Sequence, residues 1–200
     1  MKKQIIVIHG GTTFDTYEEY ISYLKNQEVS VEKFKTRKDW KDSLEGELGE
    51  DFEIIMPRMP NRTNARYEEW KIWFEKIIPF LNDNVILVGH SLGGIFFVKY
   101  LSGNLLPKKI KIVLLVAAPF DDTNNMESLS DFTLPASLEK FAEQVKKIYL
   151  LHSKDDPVVP FEQVEKYKKV LPNAEIIIFE DKQHFNQESF PEIVELIKNI

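Results

Sequence analysis

The sequence predicts an α/β fold: a mostly parallel sheet of six strands, or slightly more, with helices on both faces. Two observations carry this. Short apolar runs alternate along the chain with longer stretches whose apolar residues recur every three or four positions. The apolar runs also lack polar alternation, as strands covered on both faces do.

The elements follow in order. Gln4 to Ile8 reads as the first strand and ends at His9-Gly10-Gly11. Residues 12 to 50 are long for one crossover and hold two helices. One spans Tyr17 to Lys25, and the other Lys38 to Leu48, with Trp40, Leu44 and Leu48 on one stripe. Phe52 to Met56 is the second strand, stopped by Pro57. A helix follows in which Tyr67, Trp70, Trp73, Phe74, Ile77 and Leu81 share a face, and Pro79 ends or kinks it. Val85 to Val88 is the third strand, and the apolar helix Ile95 to Leu101 comes after it. Strands at Ile110 to Ala117, Lys147 to Leu151 and Glu175 to Phe179 complete the sheet. A helix over Phe161 to Leu171 lies between Pro160 and Pro172. The last helix, Phe190 to Ile200, has Ser189 and Glu192 at capping-box spacing. Residues 119 to 136 read as a long loop after a strand, where open α/β sheets keep their sites.

A length of 200 residues without repeat or composition shift points to a single domain spanning 1–200. Segments 12–37 and 119–136 are placed to cover a site. A 43% hydrophobic content is enough for a sizeable core, and the net charge of −6 disfavours nucleic acid or an anionic membrane as partner. No apolar run reaches the length of a membrane span, and the short run after Met1 does not make a signal-peptide core. A cytoplasmic location is the expectation. The absence of cysteine excludes disulfides, thiolate metal sites and a cysteine nucleophile.

The chemistry starts at Gly89-His90-Ser91-Leu92-Gly93, which matches G-x-S-x-G between a buried strand and an apolar helix. Phosphate-binding loops would need a following lysine or a third spaced glycine, and neither is present. Ser91 is therefore the expected nucleophile. A serine hydroxyl needs a base, and the base needs an orienting acid. On such a fold these follow in the order Ser, Asp or Glu, His. Two histidines lie downstream: His152 at a strand end, and His184 in a loop between the last strand and the last helix. His184 is the expected base and His152 a structural residue. Of the adjacent Asp155 and Asp156, Asp156 precedes Pro157 and is the expected acid. The oxyanion donors are expected to be the N–H of Leu92 and that of Gly11 or Thr12 in the loop after the first strand. Phe14, Phe120, Phe132 and Phe185 are candidates for lining an acyl pocket. Arg58 and Arg62 read as solvated side chains.

The combination of His9-Gly10-Gly11, Gly89-His90-Ser91-Leu92-Gly93, Asp155-Asp156-Pro157-Val158-Val159-Pro160 and His184-Phe185 resembles the α/β-hydrolases. It is most similar to the compact serine hydrolases of the retinoblastoma-binding protein nine family and its bacterial relatives. The stretches Met56–Asn61 and Tyr67–Trp70 are similar to bacterial members as well. The resemblance implies a domain without a large cap, with Ser91, Asp156 and His184 as the triad. It implies hydrolysis of a small ester, thioester or amide through an acyl-serine, without metal or organic cofactor. The alternatives are a non-catalytic binding protein on the same scaffold and an acyltransferase. Two departures stand out: Gln183, where a glycine commonly precedes the histidine, and the insertion-like residues 12 to 37.

Overall fold

The structure is a computed structural model that describes residues 2–35, 38–124 and 127–199. Residues 36–37 of the segment 12–37, 125–126 of the segment 119–136, and Ile200 of the last helix lie outside the described residues. Six parallel strands form one sheet: β1 (Lys3–Ile8), β2 (Phe52–Ile55), β3 (Val85–His90), β4 (Ile110–Val116), β5 (Val145–Ser153) and β6 (Glu175–Phe179). Their spatial order is β2-β1-β3-β4-β5-β6. The order reverses between β1 and β3, which are paired from Ile5 with Ile86 to Ile8 with Gly89. A crevice opens at the carboxyl edge of such a switch point, and the loops after β1 and β3 meet there.

Among the described residues, the α-helices are α1 (Tyr17–Asn26), α2 (Trp40–Leu48), α3 (Tyr67–Glu75), α4 (Leu92–Gly103), α5 (Glu139–Gln144) and α6 (Glu162–Val170) between strands, and α7 (Pro191–Lys198) after β6. Successive strand residues point to opposite faces, and the core divides accordingly. Ile6, Ile8, Leu87, Val113 and Leu115 pack with Trp70, Phe74 and Phe96 of α3 and α4. Ile5, Val7, Val88, Leu114 and Val116 pack with Trp40 and Leu44 of α2 and Ile193 and Ile197 of α7. Fully burying one such large side chain contributes about 1.5–3 kcal/mol. Helix α4 is buried at nearly every position because it lies under the sheet and is covered by α3 and α5.

Some expectations are corrected. Strand β5 runs from Val145 to Ser153, longer than Lys147 to Leu151. Helix α3 ends at Glu75, and Pro79 sits in a separate 3-10 turn, Ile78–Phe80. The Ser189–Glu192 capping box does not form. Pro191 occupies the first turn of α7 with Phe190 at the cap, and Glu192 instead pairs with Lys182 at 2.7 Å. Helix α1 buries no side chain and is held locally by a capping box between Thr16 and Glu19. Among the described residues, no helix is long and apolar enough to cross a membrane.

Candidate active site

Ser91 lies between β3 and α4 with φ 53° and ψ −121°, a left-handed conformation that a non-glycine residue adopts at a cost. Two things hold it there. Its N–H donates to the Val116 carbonyl at 2.8 Å, and its own carbonyl accepts from Gly94 N–H at 2.8 Å. The neighbouring glycines are required by close approach rather than by φ. A Cβ at Gly89 would lie 2.5 Å from the Gly93 carbonyl, and one at Gly93 would collide with the Ile8 carbonyl of β1. The Ser91 side chain caps nothing in α4, so its hydroxyl is not engaged by the helix N-terminus.

The expected acid follows β5. The Asp156 side chain is fully buried, and its Oδ1 accepts from the N–H groups of Val158 (2.8 Å) and Val159 (2.9 Å). His152, which is buried, donates Nε2–H to the Val159 carbonyl at 2.9 Å and so closes the same turn. Its position matches the structural role expected of it. After β6, His184 places Nδ1 2.9 Å from Asp156 Oδ2 and 3.1 Å from Oδ1. A carboxylate can only accept, so Nδ1 carries a proton and Nε2 has a free lone pair in the neutral ring. Asp155 points elsewhere, accepting from Ser153 Oγ (2.6 Å) and Gln183 N–H (2.9 Å). Among the described residues, no hydrogen bond joins the Ser91 hydroxyl to His184. Such bonds are often long in unliganded sites and tighten around substrate.

A small cleft opens at Ser91, walled by Gly11, Leu92, Pro119, Glu127, Ser128, Leu129, Val158 and Val159. Of the expected oxyanion residues, Leu92 and Gly11 are in this wall. Thr12 is not available, because its N–H donates to the Arg62 carbonyl at 2.9 Å. Arg62 is exposed, as expected of a solvated side chain, and its Nε also donates to the Gly10 carbonyl at 3.1 Å. His9 bridges the same loop, donating Nδ1–H to Gly10 O (2.7 Å) and accepting from Met59 N–H (3.0 Å). No sequence signal announces the contacts of this loop with Met59 and Arg62, which join residues some fifty positions apart.

The four expected lining aromatics are not in the cleft wall. Phe132 and Phe185 are fully buried core residues, Phe132 against Trp70 (centroids 5.2 Å apart) and Phe185 against Phe190 (5.1 Å). Phe120 packs on Tyr167, and Phe14 on Tyr20 and Tyr23. The apolar wall comes instead from Leu92, Pro119, Leu129, Val158 and Val159. The segments after β1 and β4 are tied to each other beside the cleft. Thr13 donates to the Ser128 carbonyl, Ser128 Oγ donates to Asp15 at 2.8 Å, and Arg66 donates to the Phe14 carbonyl at 2.9 Å and to Ser130 Oγ at 3.4 Å.

Burial lowers the pKa of His90, His9 and His152, and that of His90 lies well below the usual histidine value. Below about pH 6.5 the unfolded chain therefore binds more protons than the folded one, and stability is lost as the pH falls. The urea midpoint is expected to be lower at pH 5.5 than at pH 7.5. An unchanged midpoint would mean that these rings are not held neutral.

Comparison with known proteins gives the family and the fold. The profile of the family described as "Serine hydrolase" matches residues 33–198. The chain is 25% identical to rat "Serine hydrolase RBBP9" over 151 residues, covering 74% of this chain and 78% of that protein. It is 26% identical over 162 residues to "Putative hydrolase YdeN" of Bacillus subtilis, covering 80% and 75%. The solved structure of the B. subtilis ydeN gene product superposes with a TM-score of 0.76 at 21% identity, covering 99% of this chain and 98% of that one. The esterase domain of a Rhodothermus marinus protein superposes with a TM-score of 0.63 at 12% identity, covering 98% and 84%.

Proposed function

Because this chain belongs to the serine hydrolase family, we propose that Ser91, His184 and Asp156 form its catalytic triad and hydrolyse a small ester, thioester or amide. The observation that carries this is the bidentate seat of His184 Nδ1 on the buried Asp156, on loops beside the Ser91 turn. In the first step His184 Nε2 takes the Ser91 proton while Oγ attacks the substrate carbonyl. Leu92 N–H and Gly11 N–H receive the developing oxyanion. The tetrahedral intermediate collapses, His184 H⁺ protonates the leaving group, and an acyl-serine remains. Water then attacks with His184 again as base, and the acid product leaves. Asp156 keeps the proton on Nδ1 throughout.

The chain is read as one domain, with the described residues of segment 119–136 walling the cleft and Thr13 and Asp15 of segment 12–37 tied to Ser128 beside it, where they would restrict what enters. The cleft is small and mostly apolar, which favours short acyl groups. A panel of p-nitrophenyl esters of graded acyl length tests this by stopped-flow. A burst of about one p-nitrophenol per chain, strongest for short acyl groups, is the expected result. Turnover restricted to transfer onto an added alcohol or amine would favour the acyltransferase reading.

A further inference from the structure

The loop that carries His184 is unusual in its backbone. Gln183 (φ 47°) and Phe185 (φ 51°) flank the histidine, and both are left-handed without being glycine. Conformations of this kind persist only where the surroundings over-determine them. Here three carbonyls of the loop are held from outside it. The Phe185 carbonyl accepts from Trp40 Nε1–H at 2.8 Å, and the Gln187 carbonyl from Trp40 N–H at 2.9 Å. The His184 carbonyl accepts from His90 Nε2–H at 2.8 Å.

The third contact has a chain behind it. A carbonyl cannot donate, so His90 Nε2 must carry a proton. In the neutral ring Nδ1 is then an acceptor, and the Lys41 ammonium sits 3.4 Å from it. The Lys41 side chain is only 4% exposed and is paired with Asp39 at 2.8 Å. A second proton on His90 would point at this ammonium. The ring is thus fixed in one tautomer, with its N–H toward the His184 main chain.

We propose that Lys41 and His90 are positioning residues for the base: Lys41 sets the tautomer of His90, and His90 holds the His184 main chain so that the imidazole stays on Asp156. This rests on the triad reading above. It also accounts for Gln183 standing where a glycine commonly does. The first turn of α2 and the residue before the nucleophile supply the restraint, and backbone freedom is not needed.

The test uses His90→Gln, His90→Phe and Lys41→Met, alone and combined. Glutamine Nε2 can donate to the same carbonyl and has no tautomer to set, whereas phenylalanine has no donor. With a neutral p-nitrophenyl ester, His90→Phe is expected to lower kcat about tenfold or more with KM nearly unchanged, and His90→Gln to restore most of it. Lys41→Met should cost about tenfold in the wild-type background and far less in His90→Gln, a coupling that general destabilisation does not produce. The proposal is overturned if folded His90→Phe keeps wild-type kcat, or if Lys41→Met costs the same in both backgrounds. A second readout does not depend on turnover: the downfield proton resonance of His184 Nδ1–H. It should persist in His90→Gln and broaden or vanish in His90→Phe and Lys41→Met. Persistence in all three overturns the positioning role even if Ser91 proves not to be the nucleophile. Should His90→Phe fail to fold, the Lys41→Met pair decides alone.

Discussion

Ser91→Ala is expected to lower ester hydrolysis by about 10⁴-fold or more while leaving the fold intact. Removing the nucleophile removes the covalent route, and what remains is the assistance of the oxyanion donors and the cleft. The fold should survive for a structural reason. The Ser91 side chain makes no capping bond to α4, and the turn is held by main-chain bonds to Val116 and Gly94 that alanine retains. Its unfolding free energy should stay within about 0.5 kcal/mol of the parent, as for substitutions that break no buried contact. Steady-state kinetics and a urea titration on the same preparation read both quantities. A folded Ser91→Ala protein that keeps its rate would remove Ser91 from the mechanism.

The second large effect is expected at Asp156 and distinguishes it from its neighbour. In Asp156→Asn the amide oxygen can keep the Val158 and Val159 N–H groups, since one carboxylate oxygen already accepts both. The amide nitrogen then takes the place of Oδ2, 2.9 Å from His184 Nδ1. A donor there reverses the tautomer and places the proton on Nε2, which can no longer accept from Ser91. A loss of about 10³–10⁴ in kcat follows. Asp155→Asn keeps its oxygen on Ser153 and Gln183 and should cost less than about tenfold. Equal losses in the two variants would contradict the assignment of the acid.

What the sequence could and could not reveal divides along a physical line. Ser91, Asp156 and His184 each lie in a local pattern, a strand followed by a turn, that can be read from near neighbours, although distant residues such as Trp40, His90 and Val116 hold the turns in place. The parallel sheet was legible for the same reason, because uninterrupted apolar runs have few other uses. Features set by distant partners were not legible. Whether Phe132 and Phe185 turn to the cleft or the core depends on Trp70 and Phe190. The Thr12 N–H is directed to Arg62, fifty residues on. The burial of Lys41 against His90 leaves no periodic trace, since lysine on a helix ordinarily reads as solvent-facing. The lost Ser189 cap shows a local signal overridden by an adjacent Pro191.

The assignment of Ser91 as the nucleophile is tested most directly by treating the folded protein with a fluorophosphonate and measuring its intact mass. The geometry predicts one adduct per chain, mapped by digestion to the peptide that contains Ser91, and none in Ser91→Ala. An unmodified folded protein, or an adduct on a different serine, would contradict it.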